Sequence, residues 1–174
     1  DAALQCEALA QLGLEPGDVA CDVGAGNGYH SLKMAELVGE SGRVIATDIQ
    51  PEMLRLLDRR ATAAGVGNIT RVLSSETDAK LPADTCDVIL LVDVYHEFSD
   101  PEAMLAGMHQ SLTTTGRIAL VEYRAEDDSV PMKPLHKMTV AQADREYEAN
   151  GFARVARFDG LPWQHLLFYG RAAE

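Results

Sequence analysis

The stretch Asp22-Val-Gly-Ala-Gly-Asn-Gly28 follows an apolar run and carries three alternating glycines, Gly24, Gly26 and Gly28, behind a carboxylate. Glycine lets a backbone come close to a ligand and take turns closed to other residues. A helix beginning just after such a turn offers its unpaired amides. Asp48 ends the next apolar run, "GRVIATD". A carboxylate at that place accepts hydrogen bonds from ribose hydroxyls in dinucleotide-binding folds, and it could equally cap the helix that Pro51 opens. Together these residues point to a nucleoside-bearing ligand. Dinucleotide turns read G-x-G-x-x-G, whereas this chain reads G-x-G-x-G with Asp22 in front. A pyrophosphate is repelled by that carboxylate; an amino-acid ammonium beside a sulfonium is attracted.

Two later apolar runs end in further reactive side chains. "VDVYHEFSD" holds Asp93, Tyr95, His96 and Glu97. His96 is a candidate base, the role to which imidazole chemistry lends itself, with Glu97 to orient a nucleophile; a solvated helix-entry turn is the plainer alternative. "VEYRAED" holds Glu122 and Tyr123, which face opposite sides of a strand, so only one of them can point into a given layer. If the His96 ring turns away from the reacting centre, Tyr123 or His165 takes its place. Arg124 opens a long irregular stretch to Lys137 that includes Lys133 and His136 and is able to receive an anion. The turn "LPWQH" brings Trp163 and His165 toward the same edge if the last two strands are antiparallel. His96, His136 and His165 lack the close spacing of zinc ligands, so no metal is expected. Cys6, Cys21 and Cys86 are dispersed, and Cys21 and Cys86 lie in strand-like runs, as buried free thiols of a reducing compartment do.

The elements that must position these groups alternate. A helix ending at Gly13 precedes a strand at "VACDV", a helix over Tyr29 to Val38, a strand at "GRVIATDI" and a helix from Pro51 to about Gly65. Strands follow at "NITRVLSS" and "TCDVILLVDV", the latter apolar on both faces like a central parallel strand. A helix from Pro101 to Leu112, closed by Gly116, leads to a strand at "RIALVEY". A helix capped by Thr139 and two strands, "FARVARFDG" and "HLLFYGR", complete the chain. The pattern predicts an α/β fold, a doubly wound, mostly parallel sheet with helices on both faces, in a single domain over residues 1–174.

The chain has 174 residues and a net charge of -12. That balance argues against a basic nucleic-acid face; Arg55, Arg59, Arg60 and Arg71 read as a solvated helix surface. No apolar stretch approaches the ~20 residues of a membrane span. The sequence opens at Asp1 in a helical pattern, so a removed leader or cap is expected upstream of an otherwise cytoplasmic protein.

"DVGAGNG", "ATDIQPEML" and the acidic segment "SETDAKLP" resemble the successive motifs of class I S-adenosylmethionine-dependent methyltransferases, in particular the small type 11 and ubiquinone/menaquinone-biosynthesis-like domains. The resemblance covers nearly the whole chain. It implies a Rossmann-like seven-stranded sheet of order 3-2-1-4-5-7-6 with strand seven antiparallel. It also implies S-adenosyl-L-methionine as cofactor and a small-molecule acceptor. By the same resemblance the backbone of Gly24, Ala25, Gly26 and Gly28 wraps the methionine and ribose. Asp22 lies near the ammonium, Asp48 holds the ribose hydroxyls, and Ile49 flanks the adenine. Glu76 and Thr77 meet the adenine edge, with Asp78 an alternative to Glu76 because the Asp-Ala pair stands one residue closer to Leu-Pro than in relatives. Asp93 lines the methionine end. A non-catalytic S-adenosylmethionine-binding module and an NAD-dependent oxidoreductase remain as other readings, the last disfavoured by the glycine spacing and Asp22.

Overall fold

The computed structural model describes residues 7–173. Its strands are β1 (Val19–Val23), β2 (Arg43–Asp48), β3 (Ile69–Leu73), β4 (Cys86–Val92), β5 (Leu112–Arg124), β6 (Lys137–Met138), β7 (Phe152–Phe158) and β8 (Gln164–Arg171). Its helices are α1 (Tyr29–Val38), α2 (Pro51–Ala64), α3 (Pro101–Ser111) and α4 (Val140–Ala149). The sheet order is β3-β2-β1-β4-β5-β8-β7, with the short β6 paired to β5. This is the expected order once β6 is counted. The pairs from β3 to β5 are parallel, and β8 runs antiparallel to both β5 and β7.

Alternate residues of the central strands feed two cores. Cys21, Ile89, Leu91 and Leu120 pack with Met104, Met108 and Tyr147 of α3 and α4. Ala20, Leu90, Ala119 and Val121 pack with Met34 and Val38 of α1 and Leu57 of α2. The helix boundaries follow local chemistry. Pro51 and Pro101 occupy first-turn positions, where proline's missing N–H costs nothing. Asp100 accepts from the Ala103 amide at 3.0 Å, and Thr139 from the Gln142 amide at 3.0 Å. On α2, Arg55 pairs with Glu52 and Arg60 reaches Asn27 of the glycine turn; Arg71, expected on the same helix surface, stands on β3 instead and pairs across to Asp58 of α2. Among the described residues no helix is long and apolar enough to cross a membrane.

Three expectations change. Leu4 of the first helix lies outside the described residues; what is seen of that helix is a turn at 7–10, with Leu9 and Leu12 buried. The third long helix stops at Ser111, and β5 already begins at Leu112 and runs through Gly116. Three consecutive threonines favour extended backbone there, and a Cβ at Gly116 would lie 2.5 Å from the Cys86 carbonyl oxygen. Cys21 and Cys86 are not free thiols but a disulfide, their Cα atoms 6.0 Å apart. Strict alternation sets Cys86 and Ile89, the residue beside Cys21, on opposite faces. The β4–β5 ladder is irregular between Cys86 and Val88, however, and Cys86 shares the core of Cys21 and Ile89. The compartment argument drawn from free thiols loses its basis at this pair.

Candidate functional site

The carboxyl ends of β1, β2, β4 and β5 meet at one edge of the sheet, the place where parallel sheets hold ligands. Gly24, Gly26 and Gly28 all have left-handed backbones, with φ of 72°, 54° and 82°. A Cβ at Gly24 would lie 2.5 Å from Val94 Cγ2 and one at Gly28 2.5 Å from Leu57 Cγ, whereas one at Gly26 would meet nothing within 4 Å. The outer glycines therefore serve packing, and Gly26 fronts open space. Ala25 is buried beneath the turn, and its amide, like that of Gly24, donates to the Thr47 carbonyl at 2.9 Å. Asp48 Oδ2 accepts from the Gly26 amide at 2.9 Å and Oδ1 from the Gln50 amide at 2.8 Å. These bonds fix the carboxylate against the glycine turn. It does not cap α2, whose N-cap is Gln50.

Two cavities adjoin at this edge. The smaller, about 320 Å³, is walled by Gly24, Asp48, Ile49, Glu76, Asp93 and Glu97, with Ser74, Ser75 and Phe98 beside them. Ile49 is 49% exposed, an apolar side chain presented to whatever fills that space. The larger, about 430 Å³, is mainly apolar: Leu9, Leu12, Val121, Leu161 and Trp163 surround His30, Tyr123 and Gln164. Val92 and Asp93 belong to both.

Asp93 is thus the junction. Its φ is 52°, an uncommon backbone for a residue with a side chain. Gln164 Nε2 donates to its Oδ2 at 2.7 Å, while Oδ1 is buried with no hydrogen-bond partner. Burial raises its pKa above the ordinary aspartate value, with Gln164 and His96 opposing. Such an orphaned acceptor is costly unless a ligand donor meets it, and strained backbone clusters at functional sites. Asp22 is placed differently from Asp93. It lines neither cavity, is 3% exposed, and accepts from Ser31 Oγ at 2.5 Å. Burial pushes its pKa up to about 6, against the Ser31 hydrogen bond and with the help of the Asp48 charge.

At the ends of β4 and β5 side chains hold one another. His96 and Glu97 lie on a short 3-10 turn, Tyr95–Glu97. Glu122 Oε2 is 2.7 Å from His96 Nδ1, and its Oε1 accepts from the His96 amide at 3.2 Å. His96 Nε2 is 2.9 Å from His136 Nδ1. Both ring nitrogens of His96 are thereby engaged, and the ring lines neither cavity. Tyr123, one residue past Glu122, faces the larger cavity, as alternation demands. Burial and the Asp93 charge raise its pKa above that of an ordinary phenol, so it stays protonated at neutral pH. His165 is buried on Glu126 Oε2 at 2.8 Å, away from both cavities.

The structure therefore gathers Gly24, Asp48, Ile49, Glu76, Asp93 and Glu97 around one space, and Asp93 with Tyr123 around the next. Of the pair Glu76 and Asp78, Glu76 lines the smaller cavity, whereas Asp78 turns to Lys80 Nζ at 2.9 Å. Thr77 is exposed and outside the cavity wall. Lys137 turns to the Asp127 carbonyl and His136 to His96, while Lys133 is exposed. Trp163 does reach the edge, where Arg124 clasps its turn through the Pro162 and Asp159 carbonyls. Ser74, Ser75, Ser31 and Gln164 escaped the sequence reading. The two serines directly follow β3 and were within reach of the strand-end rule. Gln164 gave no sequence signal, since its partner lies 71 residues away.

Comparison with known proteins bears on this geometry. Residues 14–163 match the family model described as a methyltransferase domain. The chain is 29% identical over 119 residues to a ubiquinone/menaquinone biosynthesis C-methyltransferase UbiE of Teredinibacter turnerae, covering 68% of this chain and 48% of that protein. It is 31% identical over 130 residues to the UbiE of Francisella tularensis subsp. novicida, covering 74% and 50%. It thus spans about half the length of these curated relatives. A crystal structure of a SAM dependent methyltransferase from Aquifex aeolicus superposes with a TM-score of 0.87 at 23% identity, covering 94% of this chain and 87% of that one.

Proposed function

The chain belongs to the class I S-adenosylmethionine-dependent methyltransferases, and on that premise we propose that it methylates a small, largely apolar molecule held in the larger cavity. The observation that carries this reading is Asp93, which lines both cavities and whose buried Oδ1 has no hydrogen-bond partner. The residues suit the cofactor: open space before Gly26, a fixed carboxylate at Asp48 and an orphaned acceptor at Asp93. Bound S-adenosylmethionine supplies a methyl group on a cationic sulfur, ready for in-line displacement.

The protein's part is to align and to exclude water. Asp48 receives the ribose hydroxyls on its remaining lone pairs. Ile49 covers one adenine face, and Glu76 with Ser74 and Ser75 meets the adenine edge. Asp93 Oδ1 receives the ammonium, and the buried Asp22 charge beneath the turn favours a cationic ligand. Tyr123, kept protonated, donates to the acceptor and positions it; it is not a base. With both its nitrogens engaged, His96 yields the acceptor-facing role to Tyr123. The relatives are named for C-methylation in ubiquinone and menaquinone biosynthesis, and the Leu9, Leu12, Val121 and Trp163 wall suits a ring of that polarity.

The test is incubation of the protein with S-adenosylmethionine and a panel of hydroquinones, phenols and aliphatic amines, read by mass spectrometry of both products. Methylated ring product with equimolar S-adenosylhomocysteine supports the reading. Methylation of amines alone overturns the acceptor assignment. Tight cofactor binding without turnover on the whole panel overturns the enzyme in favour of a binding module.

A further inference from the structure

We propose that His96, His136 and Glu97 form a binding site for a divalent transition-metal ion of the zinc class, outside the two cavities but against the wall of the smaller one. Each residue offers one ligand atom, and these atoms lie within 4.8 Å of one another. Neither the cofactor nor the acceptor reading uses this grouping, and the inference does not depend on them.

The geometry is that of a prepared ligand set. Glu122, 2% exposed, accepts from both the His96 ring and the His96 amide. That contact assigns the proton to Nδ1 and turns the Nε2 lone pair toward His136. A carboxylate behind the distal nitrogen of an imidazole is the usual support of a metal-bound histidine, fixing its tautomer and ring orientation. His136 answers with its Nδ1 at 2.9 Å, the two rings nearly perpendicular at 82°. Zinc–nitrogen bonds of about 2.0–2.1 Å set a tetrahedral edge of about 3.3 Å, so the rings need to part by only a few tenths of an ångström. The Glu97 carboxylate is exposed and already stands within that 4.8 Å.

The backbone accounts for the convergence. His96 and Glu97 are consecutive on the turn after β4. His136 ends a second 3-10 turn, Pro134–His136. The next residue, Lys137, is paired to Tyr123 on β5 through β6. The long connection after β5 thus returns along β5 and delivers one imidazole to the end of β4. Two neutral imidazoles and a carboxylate suit zinc-class ions rather than magnesium or calcium, which prefer oxygen ligands throughout. Glu97 and Glu122 together balance a charge of plus two. Three protein ligands leave a coordination position open, and Glu97 also walls the nucleoside-side cavity. The ion both ties the long connection to the turn after β4 and borders the site.

The experiment uses the untagged full chain, stripped with a chelator and dialysed, then titrated with Zn²⁺ by calorimetry and with Co²⁺ by visible absorption. One ion per chain and the ligand-field bands of four- or five-coordinate cobalt are expected. His136→Ala should weaken Zn²⁺ by at least ~100-fold. Glu122→Gln, a change behind the ligand, should weaken it by roughly 10–100-fold. Zn²⁺ should raise the melting temperature of the wild type and leave that of His136→Ala unchanged, which separates ligand loss from misfolding. Absence of one-to-one binding, or binding equal in wild type, His136→Ala and Glu97→Gln, overturns the site and leaves a hydrogen-bonded histidine pair.

Discussion

Around Gly26 and Asp48 the backbone holds the site, whereas at the ends of β4 and β5 side chains hold one another. Asp48 is fixed by the amides of Gly26 and Gln50, and the turn itself hangs from the Thr47 carbonyl. Asp93 and His96, just past β4, instead depend on Gln164, Glu122 and His136, which arrive from β8, β5 and the turn Pro134–His136. A backbone-built site is stiff and tolerates little change of residue size. A side-chain-built one can be altered piece by piece, so one methyltransferase frame can carry a common cofactor site beside an acceptor site of its own.

The largest effects should therefore come from the glycine turn. Gly28→Ala combines a left-handed backbone with a Cβ 2.5 Å from Leu57 Cγ and 3.2 Å from Leu57 Cβ, and Leu57 is fully buried. Left-handed strain of about 1–2 kcal/mol adds to overpacking of about 1–3 kcal/mol. Gly26→Ala carries only the strain, since its Cβ meets open space. Denaturant unfolding of the two variants should rank Gly28→Ala well below Gly26→Ala. Equal losses would mean that conformation alone, not close packing, requires these glycines.

Next comes Asp48→Ala, which removes the ribose acceptors and the partners of two amides. Hydrogen bonds to charged groups contribute roughly 1.5–3 kcal/mol each. Affinity for S-adenosylmethionine, measured by calorimetry, should fall at least ~10-fold, or ~1.4 kcal/mol, with the fold retained. An unchanged dissociation constant would show that the carboxylate only organises the turn.

This contrast also decides how much the sequence disclosed. The turn from Gly24 to Gly28 and the strand end at Asp48 were legible because their arrangement is local: alternating glycines, then a carboxylate at the next strand end. The helix caps Thr139 and Asp100 and the first-turn prolines are equally local. The Cys21–Cys86 bond spans 65 residues and depends on a ladder irregularity that alternation does not reveal. His96 and His136 are 40 residues apart, so ligand-spacing rules fell silent on them. Asp22 stands out in the sequence by its place before Gly24, yet only the structure shows it buried on Ser31 rather than exposed to a cavity.

Asp22 supplies a pH test of the backbone-built side. Its free-state pKa is about 6, and burial is the main cause. A cationic ligand above it stabilises the anion and lowers that pKa, so binding releases protons. Affinity for S-adenosylmethionine should rise with pH up to about 6 and level off above it. His30, beside the Ser31 that holds Asp22, has its pKa lowered by burial. Asp22→Asn keeps His30 and removes only the aspartate, so its profile should lose the rise below pH 6. Parallel profiles would show that Asp22 does not sense the ligand's charge.

The smallest effect belongs to the acceptor side. Tyr123→Phe keeps the ring that walls the larger cavity and removes only the hydroxyl. Burial and Asp93 hold that hydroxyl protonated, so its part is a single donated hydrogen bond, worth about 0.5–1.5 kcal/mol net. Turnover should fall by several-fold, up to ~10-fold, far short of the ~10²–10⁴-fold that loss of a general base costs. Cofactor affinity should not move, because the contacts proposed for the nucleoside come from β2, β3 and Asp93. A combined rate and binding measurement therefore separates the two sides of the site. A loss of cofactor affinity in Tyr123→Phe would mean that the cavities are not divided at Asp93, and a rate loss beyond ~10²-fold would make the tyrosine a proton-transfer group after all.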